Sequence, residues 1–355
     1  MTPEDFTTLV TTRPAPEVLE ALAAIPPEQR RGLAQTALKL FKGWYDAYLS
    51  MSKDAPAVTA QDDDSLRIGV LATATMSEAK RFGFHLLPQR IAIDTVIAAL
   101  RPDWIGSWVE TLIAETPWMV QRLEALWIEG LCPKPQSDEY IMGLYARNGH
   151  AFTRREGGDF ARTDVWRFFE VEGAGEFSLA AHDKYAGQNT WSNTLLKMVE
   201  CSELDRGRLL DASLDALERD FAQFRAGWYS RFHIALQPTP EEQEARKARY
   251  MALLGSAIPP TVSFALKALA GLEKRKALDP GALIDALEPA LTAPQKSTAT
   301  AALKLLASAA RRDKTQAPGA ARAAVAALIS EQADVQKAAL DVIDKLAPED
   351  PDVRG

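Results

Sequence analysis

The chain has 355 residues, of which 47% are hydrophobic and 25% are charged, a composition typical of folded globular proteins and not of disordered or fibrous ones. Its 48 acidic and 41 basic side chains give a formal net charge of −7, which excludes a uniformly basic nucleic-acid-binding protein. The two cysteines, Cys132 and Cys201, are too few for a disulfide framework or a structural zinc site and fit a reducing compartment.

No segment of the sequence is expected to enter a membrane. The first residues lack the basic and apolar regions of a secretory signal, and no apolar run approaches the length of about 18 residues that a membrane span requires. The nearest candidate, residues 91–100, contains Asp94 and is predicted to be a buried helix. We therefore expect a soluble, cytoplasmic protein.

The N-terminal part, residues 1–147, is predicted to be helical with an aromatic-rich core, since all eight tryptophans of the chain precede residue 230. Start signals and the spacing of apolar side chains predict three helices, over residues 27–50, 65–82 and 88–100. Pro102 and Thr116 are each expected to begin a further helix, with Trp108 and Trp127 facing the core.

Residues 148–189 are predicted to be an irregular connection or lid, because glycines are frequent and only residues 163–170 have a helical pattern. Within this segment there is one dense polar cluster. Its candidate site residues are Glu170, Glu172, His182 and Asp183, with Glu176, Arg154, Arg155 and Arg162 nearby. Two interpretations stay open: an active site with carboxylates as acid and base groups, or a solvated loop with scattered ion pairs, which we favour.

The sequence after residue 190 repeats with a period of 37 residues. The spacing relates Ala265-Leu266, Ala302-Leu303 and Ala339-Leu340, and it also relates Leu254, Leu291 and Leu328 ahead of them. Each repeat carries two stripes of apolar side chains at helical spacing and therefore predicts a pair of helices. Because such a pair cannot bury its apolar stripes alone, neighbouring pairs are expected to stack.

Two nearly identical segments, residues 204–212 and 278–286, lie two repeats apart. In each of them an aspartate, Asp205 or Asp279, is expected to cap the N-terminus of a helix. The predicted fold class is all-α. It is an α-solenoid of stacked helical hairpins, of the HEAT or armadillo type, over residues 190–347, preceded by the aromatic-rich helical part and followed by an acidic tail, residues 348–355.

Residue patterns that usually accompany catalysis are sparse. The histidines His85, His150, His182 and His233 are scattered, and no zinc-protease, nucleophile-elbow or phosphate-loop motif occurs. Both cysteines are expected to be buried as small hydrophobic residues, and the acidic run of residues 62–64 is expected to lie in a solvated loop. We predict that the chain is not an enzyme and has no catalytic residues, no metal site and no cofactor.

The repeat register predicts a basic ridge along one edge of the stacked hairpins. Its candidate binding residues are Lys274, Arg275, Lys276, Arg311, Arg312 and Lys314. The ridge could contact an acidic partner or a nucleic-acid backbone. The interpretation that we favour is structural, because cations that follow the C-terminus of a helix complement its dipole.

Several stretches, in their order along the chain, resemble a bacterial family of uncharacterised helical-repeat proteins known only as a domain of unknown function. They include Arg101-Pro102-Asp103-Trp104, Gly130-Leu131-Cys132-Pro133-Lys134-Pro135 and Val165-Trp166-Arg167-Phe168-Phe169-Glu170. The resemblance extends over residues 65–346. Genes of that family tend to lie near those of SWIM zinc-finger, MoxR-type ATPase and von Willebrand A proteins. The resemblance thus implies a scaffold or adaptor and transfers no catalytic residue.

Three functions remain as hypotheses. We expect a non-catalytic scaffold or adaptor that presents its stacked hairpins to a protein partner. The alternative is a nucleic-acid-binding helical-repeat protein that uses the basic ridge, although the net charge disfavours it. The third is an enzyme with its site in residues 148–189.

Overall fold

The regular secondary structure of the chain is helical. The computed structural model describes residues 1–50, 62–147 and 159–346, and within these ranges it has no β-strand, only an isolated bridge between Ala174 and Phe177. The prediction of an all-α fold is therefore confirmed. The chain divides into two compact units, Met1–Arg147 and Asn148–Gly355.

The described part of the N-terminal unit contains ten α-helices. They are α1 (Pro3–Thr12), α2 (Ala15–Ala23), α3 (Pro27–Arg31), α4 (Ala34–Ser50), α5 (Asp63–Thr73), α6 (Met76–Lys80), α7 (Ile93–Leu100), α8 (Ile105–Glu115), α9 (Val120–Ile128) and α10 (Asp138–Tyr145). Helix α5 contacts α1, α2, α3 and α4, so it is the central helix of this half of the unit. Phe6, Phe41, Trp108 and Tyr140 are fully buried in the core.

The predicted helix boundaries of this unit need correction. The helix expected over residues 27–50 is interrupted after Arg31, and the one expected over residues 65–82 is interrupted at Ala74. The second break has a local cause. Thr75 Oγ1 accepts a hydrogen bond from Glu78 N and the Glu78 carboxylate accepts one from Thr75 N, a capping box that begins α6.

The acidic run of residues 62–64 does not lie wholly in solvent, contrary to expectation. The Asp64 side chain is 1% exposed and pairs with Arg67 at 3.0 Å. Its carboxylate also accepts hydrogen bonds from the backbone N–H groups of Gln89 and Arg90, at 2.8 and 2.7 Å. These bonds hold residues 89–90 in a non-helical conformation, so α7 begins at Ile93 and not at Pro88 as predicted.

The described part of the C-terminal unit contains thirteen α-helices, preceded by a π-helical turn over Phe160–Asp164. They are α11 (Val165–Arg167), α12 (Leu179–Tyr185), α13 (Trp191–Glu200), α14 (Arg206–Glu218), α15 (Gln223–Ala235), α16 (Pro240–Ala245), α17 (Lys247–Ala252), α18 (Pro259–Lys274), α19 (Pro280–Ala286), α20 (Glu288–Leu291), α21 (Lys296–Arg312), α22 (Ala317–Val325) and α23 (Ala333–Leu346). The predicted acidic tail, residues 348–355, lies outside the described residues.

Residues 159–189, the described part of the segment predicted to be irregular over 148–189, contain more helix than expected. This part contains helix α12, and the helix expected over residues 163–170 is a π-helical turn continued by the short α11. Residues 148–158, which include Arg154 and Arg155, lie outside the described residues.

The long helices from α15 onwards contact one another in sequence order. Helix α15 contacts α18, α18 contacts α21, and α21 contacts α23. Helix α14, which precedes α15, has the same length of 13 residues, whereas α18, α21 and α23 each follow a shorter helix. The preceding helices also meet, because α20 contacts both the Leu253–Gly255 turn and the Ala326–Ile329 turn. Side chains one repeat apart therefore lie on helices that touch.

Burial follows the repeat but weakens at the last pair of helices. Leu266 and Leu303 are buried, whereas Leu340, one repeat further along, is 50% exposed. The two predicted caps are present. Asp205 Oδ1 accepts a hydrogen bond from Arg208 N at 2.6 Å, and Asp279 Oδ1 accepts one from Ala282 N at 2.9 Å.

Candidate functional site

The polar cluster predicted near residue 180 is held by structural hydrogen bonds. Asp183 accepts bonds from Trp191 N at 2.7 Å, from Ser192 Oγ at 2.6 Å and from Trp228 Nε1 at 2.8 Å. Burial alone would raise the pKa of Asp183, but the bonds from His182, Ser192 and Trp228 outweigh it and hold the pKa below its usual value. Asp183 thus stays ionised while it ties α12 to α13 and α15.

Of the other members of the cluster, only His182 contacts Asp183 among the described residues. Glu172 Oε1 accepts a hydrogen bond from Ala222 N at 2.7 Å and pairs with Arg225 at 2.8 Å, so it anchors the start of α15. His182 Nδ1 lies 3.2 Å from Asp183 Oδ1. Glu170 is exposed. The structure therefore brings His182 and Asp183 together, and it uses Glu172 in a separate contact.

The predicted ridge residues divide into engaged and unengaged cations. Arg312 pairs with the buried carboxylate of Glu273 through two nitrogens, at 3.0 and 3.2 Å, and Arg275 donates to Gln243 Oε1 at 2.7 Å. The remaining four, Lys274, Lys276, Arg311 and Lys314, are exposed, and their side chains have no hydrogen bond or ion pair among the described residues. Arg312 joins α21 to α18 and is not available to a partner.

A buried serine, histidine and tyrosine are in contact but do not form a reactive site. His233 Nδ1 lies 2.8 Å from Ser213 Oγ, and its Nε2 lies 2.8 Å from the Tyr250 hydroxyl. Because Ser213 Oγ donates to Leu210 O, it must accept from Nδ1–H, which leaves Nε2 to accept from Tyr250. Burial and the charge of Arg246 lower the pKa of His233 to about 4. The imidazole cannot remove the proton of the serine in this tautomer, and all three side chains are closed to solvent.

Two stretches that carried the family resemblance line one cleft in the N-terminal unit. Arg101, Pro102 and Asp103 face residues 130–134 across a volume of about 640 Å³. Burial and the charge of Glu110 raise the pKa of the Cys132 thiol in its wall to about 11. The thiol is therefore protonated at neutral pH and is a weak nucleophile.

Neither a metal centre nor a membrane span is visible in the described ranges. No group of three or more histidine, cysteine, aspartate or glutamate side chains there is arranged to hold a metal ion. None of the helices in those ranges combines the length and the hydropathy that crossing a bilayer demands.

A groove between α15 and α18 was not predicted from the sequence. It has a volume of about 600 Å³, and its lining includes Phe224, Arg231 and Ile234 of α15 and Phe264 and Lys267 of α18. Phe224 and Ile234 are 51% and 58% exposed, unusual for side chains of this size on a helix that packs on both sides. The sequence contains one indication that the surface of α15 is unusual, because this helix has no acidic residue.

Comparison with known proteins gives one match. A domain of unknown function, DUF6493, is found at residues 147–297. No curated protein and no solved structure matches the chain. The match confirms the resemblance to a domain of unknown function over that part, which contains residues 204–212 and 278–286. The cleft that residues 101–103 and 130–134 line lies outside it.

Proposed function

We propose that the C-terminal unit is a HEAT-like helical-repeat scaffold that binds another protein and catalyses no reaction. The observation that carries this proposal is the sequential contact of α15, α18, α21 and α23, together with the period of 37 residues that relates buried leucines on neighbouring helices. Each layer adds exposed helix surface without closing a pocket, which is the geometry that repeat proteins use to bind partners.

The environment of the titratable groups supports a non-catalytic role. Asp183, Glu172 and Arg312 are engaged in structural contacts, and the buried His233 is neutral and inaccessible. A general acid or base would need a proton-accepting atom that faces a substrate cavity. Among the described residues, the candidates from the sequence do not meet this requirement.

The proposal is tested by affinity capture of the full chain from cells of its source. The tagged chain is cross-linked in the cell, recovered, and compared by quantitative mass spectrometry with the tag alone. We expect one or a few proteins to be enriched in amounts comparable to the chain itself. If no protein is enriched above the tag control, the chain does not act as a scaffold for a protein.

A further inference from the structure

Three consecutive long helices of the C-terminal unit share an unusual charge pattern. Helices α15 and α21 contain no acidic residue, and α18 contains only Glu273, which is buried against Arg312. The same three helices carry five exposed cations that make no ion pair or hydrogen bond among the described residues. These are Arg231, Lys267, Lys274, Lys304 and Arg311, called here the cationic face.

The five cations lie on one continuous surface. Arg231 and Lys267 line the same groove between α15 and α18. Lys304 is one repeat beyond Lys267, on the helix that packs against α18. Lys274 and Arg311 follow Lys267 and Lys304 by seven residues, two helical turns, and therefore lie on the same stripes of α18 and α21.

The cationic face stands out in a chain whose formal net charge is −7. The pattern ends at α23, where Asp341 occupies the position that Lys267 and Lys304 have in the two preceding repeats. Unpaired cations gathered on one face of an acidic protein attract a negatively charged partner and repel a positive one. This surface therefore selects its partner by charge.

We propose that the cationic face and its groove bind an acidic, extended segment of another protein that carries an apolar side chain. This inference rests on the proposed scaffold function and names the chemistry of its partner. Phe224 and Ile234 lie about 15 Å apart along α15, so each supplies a separate exposed apolar contact at the groove that can receive an aliphatic or aromatic side chain. The cations around them bind carboxylates.

The spacing of the cations fits a polypeptide. Seven helical residues rise about 10 Å, and packed helices lie about 8–10 Å apart, so neighbouring cations of the face are about 10 Å from one another. An extended chain rises about 3.3 Å per residue, so every third side chain spans the same distance. The formal net charge of −7 repels a long polyanion such as a nucleic acid more strongly than a short acidic peptide, so it favours the peptide.

The proposal is tested by fluorescence anisotropy with a labelled synthetic peptide of glycine and serine that has glutamate at every third position and a central leucine. The protein is the full chain, either unmodified or with the double charge reversal K267E/K304E. Both lysines are exposed and unpaired, so we expect the fold to be retained, which circular dichroism checks. The matched control is K39E/K197E, which changes the net charge equally at exposed lysines outside the face.

We expect the unmodified chain and the control to bind the peptide within about twofold of each other, and K267E/K304E to bind at least about tenfold more weakly. Binding should weaken from about 50 mM to about 300 mM salt, because exposed charges are screened. A peptide in which glutamine replaces glutamate should not bind.

Three results would overturn the proposal. The first is that the unmodified chain does not bind the peptide, and the second is that both double variants bind it equally. The third is that, at about 150 mM salt, the unmodified chain binds an oligothymidylate of about 20 nucleotides more tightly than it binds the peptide. The last result would favour a nucleic-acid partner. If K267E/K304E captures the same cellular protein as the unmodified chain, the scaffold function stands and the cationic face is not its binding surface.

Discussion

Arg311 and Arg312 are neighbours in the sequence but have different roles in the structure. Arg312 neutralises the buried carboxylate of Glu273, whereas Arg311 is exposed on the cationic face and has no partner among the described residues. Composition and repeat register predicted both as members of one ridge. They could not separate the two, because the partner of Arg312 lies 39 residues earlier in the chain.

The pair provides a matched test of that difference. Arg312→Ala leaves the Glu273 carboxylate buried without its cation, so we expect the free energy of unfolding to fall by about 2 kcal/mol, below the range for fully buried pairs because Arg312 is partly exposed. Arg311→Ala should change it by less than about 0.5 kcal/mol. Urea unfolding of both variants measures this, and equal losses would contradict the assignment.

His233 makes the stability of the C-terminal unit depend on pH. Its pKa is about 4 in the folded chain and about 6.5 when unfolded, so between these values the unfolded state binds the proton and the folded state does not. The free energy of unfolding therefore falls as the pH falls from 6.5 towards 4. The loss from this group is at most about 3 kcal/mol and is absent above pH 7.

The contribution of His233 is isolated by His233→Gln, which keeps a donor and an acceptor for Ser213 and Tyr250 but does not titrate. We expect urea unfolding midpoints of the unmodified chain to drop more steeply between pH 7.5 and pH 5 than those of the variant. The carboxylates titrate in both proteins, so their contributions to the pH dependence cancel in the comparison. Parallel pH profiles would show that folding does not lower the pKa of His233.

Some features of single helices depend on residues that are close in the sequence, and others depend on residues that are distant in it. The caps at Asp205 and Asp279 were predicted correctly, because a cap depends on residues within three positions of each other. The start of α7 was predicted wrongly, because Asp64 binds residues 89–90 from a distant part of the chain. Exposed Phe224 and Ile234 were missed for the same reason: their exposure depends on how α15 packs against α18.

Helix α10 depends on a close approach that only glycine permits. A Cβ atom at Gly143 would lie 2.3 Å from the carbonyl oxygen of Pro117, whereas one at Gly319 in α22 would have no neighbour within 4 Å. We expect Gly143→Ala to lower the free energy of unfolding by about 1–3 kcal/mol. Gly319→Ala should leave it unchanged or raise it by up to about 1 kcal/mol, since alanine favours a helix.

Thermal unfolding of these two variants tests the packing of α10 directly. The same substitution is made at both sites, so a general effect of adding a methyl group would act equally on them. An unfolding temperature that falls in both variants, or in neither, would contradict the close contact between α10 and Pro117.

At the scale of the whole molecule, composition and periodicity were sufficient for the all-α class. Helical spacing of apolar residues is a property of the sequence itself, and the repeat of 37 residues relates helices that touch in the structure. Function was not accessible in this way. The groove, the engaged Arg312 and the unpaired Arg231 arise from packing between helices, which one sequence does not specify.

The proposed scaffold requires that successive helical pairs from residue 204 onwards stack one per layer, so that residues one repeat apart are in equivalent places. This stacking is tested by measuring distances between two spin labels attached to the full chain. The native cysteines are removed by C132A and C201S, and the labels are placed on the pairs K267C/K304C and K267C/D341C. We predict backbone separations of about 10 Å for one layer and about 20 Å for two, as for packed helices. Equal separations for both pairs, or more than about 30 Å for the second, would contradict the stacking.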